Sequence, residues 1–328
     1  MITFSIAVIA GLLLLTWSAD RFVAGAAGLA QAMGVSTLII GLTIVAFGTS
    51  APEMLVSAVA AWQGNSGIAI GNAIGSNIAN MALVLGVTAL IAPLTVHSST
   101  LSREFPLMLV IMLVTMAMLW NGELTRIDGV VLLSGMMAVA LWTIHLARTS
   151  GTDDPLIAEY SEEIPKAMPK GRAWLLLITG LVLLLASSRI LVWGAVGIAH
   201  SFGVSDLVIG LTIIAIGTSL PELAASIAAA RKGEHDIAVG NVVGSNLFNI
   251  LAVLGIAGTI GPGSFDRMVL LRDFPLMLGL AIALYLMARG LNHKGEGTIE
   301  RWAGLVLTST FLAYQAGLFY SAAGASAA

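Results

Sequence analysis

Gly41-Leu-Thr-Ile-Val-Ala-Phe-Gly-Thr-Ser-Ala-Pro-Glu53 is an apolar, helix-like run that breaks at Gly48-Thr49-Ser50 and then delivers Pro52 and the carboxylate of Glu53. The pattern occurs twice. Gly210-Leu-Thr-Ile-Ile-Ala-Ile-Gly-Thr-Ser-Leu-Pro-Glu222 repeats it 169 residues later, with Glu222 in the place of Glu53. Each copy sets one acid in sequence that otherwise belongs in lipid, where a charge costs about 2.5 kcal/mol or more unless it faces a partner, a cavity or an ion. Two acids in matched places therefore point to function.

The similarity spreads outward from these acids at the same offset and without gaps. Between residues 34 and 57, sixteen of 24 positions recur in the second copy. The match continues through Gly71-Asn72/Gly240-Asn241, Gly75-Ser76-Asn77/Gly244-Ser245-Asn246, Asn80/Asn249 and Arg103-Glu104-Phe105-Pro106/Arg272-Asp273-Phe274-Pro275. The chain is an internal duplication.

Composition sets the medium. Of 328 residues, 58% are hydrophobic and 10% charged, and the mean hydropathy is +0.95. Soluble domains carry about 25% charged residues, so the composition is that of an all-α polytopic membrane protein. The net charge of −3 and the lack of a basic block exclude nucleic acid as a partner, and no protein partner is evident. The expected surroundings are a lipid bilayer and inorganic cations. There is no cysteine, hence no disulfide, thiolate metal site or thiol nucleophile. Met1 runs directly into an apolar segment without a basic region or cleavage signature, so the N-terminus is expected to be the first span and not a signal peptide.

Apolar runs long enough to cross a hydrocarbon core of about 30 Å occur ten times, near residues 3–30, 36–62, 67–92, 103–120, 127–147, 173–200, 206–230, 236–260, 269–289 and 301–321. The polar stretch 148–172 divides them into two sets of five and is expected to be a solvated linker. An odd number of spans per copy inverts the second copy, giving ten transmembrane helices as two inverted five-helix repeats, 1–147 and 173–328, with broken helices at the midplane. With the N-terminus outside, the inner loops hold ten Lys and Arg residues and the outer loops only Arg126, Arg267 and Arg272. The positive-inside rule then places both termini extracytoplasmic and the linker in the cytoplasm.

The broken motif has a chemical use. Proline lacks an amide hydrogen and pushes its predecessor out of helical geometry, so carbonyls near Ala46 to Ser50 are expected to lose partners. Free carbonyls at membrane depth are tolerated only where they line protein or a wet cavity. Carbonyls, hydroxyls and a carboxylate are the oxygen ligands that hard cations want. Asn72, Ser76 and Asn80, spaced i, i+4 and i+8, fall on one stripe of the following helix, and Asn241, Ser245 and Asn249 repeat it. Ser76, Asn80, Ser245 and Asn249 are the candidate ligands among them. Ser57, Ser226, Asn77 and Asn246 are better explained as polar glue between helices. Asp20 and Arg189, at equivalent places in the first and sixth spans, are expected to form an interhelical pair, with Arg21 reaching to an interface. The five histidines sit near span ends without paired spacing and are assigned no metal.

The doubled G-[TS]-S-x-P-E followed by G-N-x-x-G-S-N-x-x-N resembles the two alpha-repeats of the calcium/cation antiporter superfamily, closest to its prokaryotic sodium/calcium exchangers. The resemblance implies that the four helices of the two motifs hold a diamond of cation sites, across which the first and sixth spans slide to alternate access. It implies calcium ligation by Glu53 and Glu222 with the backbone oxygens of Thr49 and Thr218. It also implies sodium sites drawn from the Ala46 and Ala215 carbonyls, Ser50 and Ser219, Ser76 and Ser245, with Asn80 near the centre. Calcium and sodium would be cargo, and no resident cofactor is expected. Asn249 departs from the aspartate of the classical exchangers and makes the site symmetric. Two carboxylates balance one calcium and also suit proton exchange, because a carboxylate emptied of cations takes up a proton.

The leading expectation is a secondary antiporter of calcium against sodium in a plasma (inner) membrane; calcium/proton, potassium-assisted or broader divalent exchange is the alternative. A channel fits less well, because matched inverted repeats with broken helices mark transporters. An intramembrane enzyme built on Ser50 or Ser219 would lack a base histidine within the spans.

Overall fold

The computed structural model describes residues 1–34, 46–96, 101–149, 168–289 and 297–326. It is almost wholly helical, as lipid demands of a chain that must satisfy every backbone N–H and C=O internally. Among the described residues nine helices are long and apolar enough to cross a membrane. Of the expected 36–62 span the described part is the short turn Ala46–Thr49 and the helix Ala51–Trp62. Most of the 148–172 linker lies outside the described residues.

The two longest helices, Ile2–Ala32 and Lys170–Phe202, lie along one another. At about 1.5 Å per residue they measure roughly 46 and 50 Å, well beyond a core of about 30 Å, so each must tilt to match it. Their contact is close enough that a methyl group on Gly180 would stand 2.5 Å from the Phe22 amide nitrogen. The expected Asp20–Arg189 pair does not form: both side chains are exposed, and no ion pair joins them. Arg21 instead folds back on its own turn, donating to the Trp17 carbonyl at 3.2 Å and lying over the Trp17 ring.

Inside this pair sits the core. His235–Ile260 has 89% of an 18-residue apolar stretch buried, against 11% for Arg126–His145 at the periphery. Ser66–Ile91 and Asp206–Lys232 are also mostly interior. An apolar helix with an outer face toward lipid loses little by exposure there, whereas two of these three carry the polar stripes and the third an acid motif, and all must be enclosed. The buried interior is continuous, running from Val8 and Leu15 through Ile68–Leu85 to Val239–Leu254.

Two short antiparallel ribbons tie the halves together. Leu94–Val96, after the third span, pairs with Gly297–Ile299 just before the last helix. Glu123–Leu124, before the fifth span, pairs with Gly263–Ser264 after the eighth. Each ribbon joins the end of a central helix in one repeat to the start of the final helix in the other. Nearby, Arg272 chelates the buried Asp273 at 2.7 and 3.1 Å, and Tyr314 of the last helix donates to the same carboxylate at 2.8 Å.

Candidate cation site

The two acid motifs break as their prolines require. Ala46–Thr49 and Ala51–Trp62 are separate helices hinged at Ser50 (φ −86°, ψ 1°), and Ala215–Thr218 and Leu220–Lys232 hinge at Ser219 (φ −83°, ψ 1°). The hinge dihedrals agree within a few degrees, so the duplication holds at the level of backbone. In each case proline sits in the first turn of the second helix, where a missing N–H costs nothing, and the glutamate lies in that same turn, at the positive end of the helix dipole. Ala215 does not present a bare carbonyl: it accepts the Ser219 N–H at 3.2 Å.

Glu53 and Glu222 are both fully buried and lie within electrostatic reach of one another. Among the described residues neither carboxylate oxygen of Glu53 has a hydrogen-bond partner, and Glu222 has one, the Ser245 hydroxyl at 3.4 Å. The Ser50 and Ser219 hydroxyls are buried without partners, as are both amide atoms of Asn80 and of Asn249. An unsatisfied buried polar group costs about 1–3 kcal/mol, and a charged one more. A cluster of such atoms, predominantly oxygen and duplicated residue for residue, fits a hard cation supplying the missing partner. Among the described residues no group of three or more His, Asp and Glu suited to a metal occurs, so two carboxylates are the charge available here.

Threonine and asparagine close the cluster across the repeats. Thr218 donates to Asn72 Oδ1 at 3.1 Å and lies 3.4 Å from the Ser76 hydroxyl. Thr49 donates to Asn241 Oδ1 at 3.4 Å and lies 3.5 Å from the Ser245 hydroxyl. Asn72 was legible only as part of a stripe, yet it is a linchpin: its amide nitrogen also donates to the Glu53 carbonyl at 3.2 Å and to Ser57 at 2.9 Å. Ser57 and Ser226 donate to Ala69 and Ala238 carbonyls, which is interhelical glue as expected. Asn77 reaches only the Met277 thioether at 3.5 Å, and Asn246 has no partner.

Two further features bring the helices this near. Methyl groups on Gly71 or Gly210 would each stand 3.0 Å from the other's Cα, so only glycine allows this crossing. Both stripe helices also pass through a π-helical turn that starts at the site asparagine, Asn80–Val84 and Asn249–Val253. Such turns insert one residue into the helix and recur at functional sites. No sequence signal marks them.

The structure thus gathers Glu53, Glu222, Ser50, Ser219, Thr49, Thr218, Ser76 and Ser245, with Asn80 and Asn249 at the head of the adjoining turns. Ala46 and Ala215 begin the two short helices that precede the hinges.

Known proteins share this organisation. The family model described as sodium/calcium exchanger protein matches residues 4–144 and 172–320, leaving the linker between its two parts. CaxA of Alkalimonas amylolytica is 50% identical over 321 residues, covering 98% of this chain and 100% of that protein. Sodium/calcium exchanger MaX1 of Methanosarcina acetivorans is 31% identical over 345 residues, covering 94% and 97%. The solved structure of the sodium-calcium exchanger NCX_Mj, soaked with 10 mM Na+ and 10 mM Sr2+, superposes with a TM-score of 0.66 at 34% identity, covering 96% of this chain and 98% of that one. With a family match over both repeats and whole-length relatives above 30% identity, this multi-pass membrane protein belongs to the sodium/calcium exchanger family.

Proposed function

We propose that this chain is a secondary antiporter that moves calcium across the membrane against sodium by alternating access. The observation that carries the proposal is the buried pair Glu53 and Glu222, with partnerless oxygens on both halves of an inverted duplication. Family membership and the name of MaX1 support calcium and sodium as cargo. Glu53 and Glu222 supply the two negative charges that one calcium requires. Thr49, Thr218, Ser50, Ser219, Ser76 and Ser245 supply neutral oxygens, and the Ala46 and Ala215 carbonyls extend the set for sodium. The long helices Ile2–Ala32 and Lys170–Phe202 cross this cluster and are the elements that slide.

Asn249 supports a second coupling ion. With a neutral amide at both Asn80 and Asn249, the site carries two negative charges, so calcium and two protons are interchangeable in charge. Protein in sodium-loaded liposomes is diluted into sodium-free buffer at clamped pH and voltage, and radiolabelled calcium uptake is measured. Uptake that requires internal sodium establishes sodium coupling. Uptake indifferent to sodium but driven by a pH gradient assigns the proton instead.

We place the protein in the plasma membrane, the inner one where there are two, with both termini outside and residues 148–172 in the cytoplasm. The excess of Lys and Arg in that linker and in the loops on its side supports this orientation. A relative named inner membrane protein YrbG, from Escherichia coli and 43% identical over 316 residues, supports the membrane.

A further inference from the structure

The helix Asp206–Lys232 contains a π-helical turn at Gly210–Ile214, upstream of the Ser219 hinge. There the Ala215 N–H reaches back to the Gly210 carbonyl, and the Leu211 carbonyl loses the donor that an α-helix would have given it. Its replacement comes from the last helix. Gln315 Nε2 donates to the Leu211 oxygen at 3.2 Å, from a side chain that is 8% exposed.

Three comparisons mark this bond as specific. Among the described residues, the π turns at Asn80–Val84, Asn249–Val253 and Val269–Asp273 receive no side-chain donor on the carbonyl they skip. The position equivalent to Gln315 in the first repeat is Leu146, which has no donor to give. And Leu211 stands at a close helix crossing: a methyl on Gly75 would lie 2.8 Å from its Cα and 2.8 Å from the Ala215 Cβ.

A π turn holds one residue more than the α-helical turn it replaces, and one residue is about 100° of azimuth. Thr218 follows this turn, so its aim relative to the helix before Gly210 depends on the turn's staying in place. We propose that Gln315 is a positioning residue of the second half-site: by capping the Leu211 carbonyl it holds the π turn that aims Thr218 at Asn72 and sets Glu222 in the cluster. It touches no cargo. The inference rests on the cluster around Glu53 and Glu222 being the cation site.

The test is Gln315→Met, which keeps length and bulk and removes the donor, measured by calcium flux in liposomes at varied calcium. The concentration for half-maximal flux is expected to rise about fivefold, the weight of one ordinary hydrogen bond. Gln315→Asn, one methylene short, should shift it the same way. Tyr314→Phe breaks the neighbouring bond to Asp273 on the same helix and should leave it unchanged. Where a variant gives too little flux, calcium-dependent thermal stabilisation of the detergent-purified protein reports calcium affinity, which should weaken in the same direction. Wild-type half-saturation in Gln315→Met, or an equal shift in Tyr314→Phe, overturns the proposal. Full calcium flux in Glu222→Gln would instead remove the cation site on which it rests.

Discussion

Thr218 in the second repeat donates its hydroxyl hydrogen to Asn72 in the first at 3.1 Å, and the 169-residue offset turns that contact into its counterpart, Thr49 to Asn241 at 3.4 Å. Each half of the cluster is therefore assembled from both halves of the chain. Neither repeat holds a whole site.

Removing this contact should be felt in both partners at once. Thr218→Val and Asn72→Leu are each expected to weaken calcium binding, and the double variant to lose less than the sum, with a coupling of about 1 kcal/mol. Binding isotherms of the four proteins in one cycle supply the number. Full additivity would mean that the bond carries no weight in the site.

Glu53→Gln and Glu222→Gln should each lower calcium flux by about 100-fold or more, because losing one charge from a buried ion cluster costs about 3–5 kcal/mol. Both variants should still insert and fold. Without cations they should even melt higher than the unmodified protein, since a buried carboxylate has been replaced by an uncharged amide, and calcium should no longer raise the melting temperature. Either variant transporting at full rate would contradict the role of its glutamate.

Asn249→Asp adds a third carboxylate and leaves the calcium-bound cluster with a net charge of −1. Tighter calcium binding with slower release is the expected outcome, read as a lower half-saturating concentration together with a lower maximal rate. A variant with the same two constants as the parent would show that position 249 lies outside the electrostatic reach of the bound ion.

Asp273→Asn should destabilise the fold by about 1.5–3 kcal/mol, because it weakens the charge-assisted bonds from the part-buried Arg272. Adding Arg272→Gln should recover part of the loss. Melting temperatures of the three purified proteins decide it, and flux per folded molecule is expected to stay near the parent value.

Much of this architecture is written plainly in the residues. A duplicated acid in apolar sequence, the Gly-Thr-Ser-x-Pro-Glu break and five spans per copy are local or countable features, and the hinges at Ser50 and Ser219 fall where proline chemistry puts them. The contacts between repeats are another matter. That Thr218 would choose Asn72 depends on how near two helices approach, which Gly71 and Gly210 permit without announcing their partner. The π turns carry no residue signature, because a single inserted residue is a response to packing. Asp20 and Arg189 show the opposite hazard: equivalent positions in an inverted repeat are related by a rotation, and that relation does not make them neighbours.

The two ribbons, Leu94–Val96 with Gly297–Ile299 and Glu123–Leu124 with Gly263–Ser264, are hooks exchanged between the repeats. Two separate copies of one five-helix unit, inserted in opposite senses, would meet through an isologous surface of this kind, each clasping the other as it is clasped. Fusion into a single chain makes that clasp permanent and fixes the stoichiometry at one to one. It also releases each half to change alone, and the divergence of Gln315 from Leu146 is a change that a homodimer could not have made on one side only.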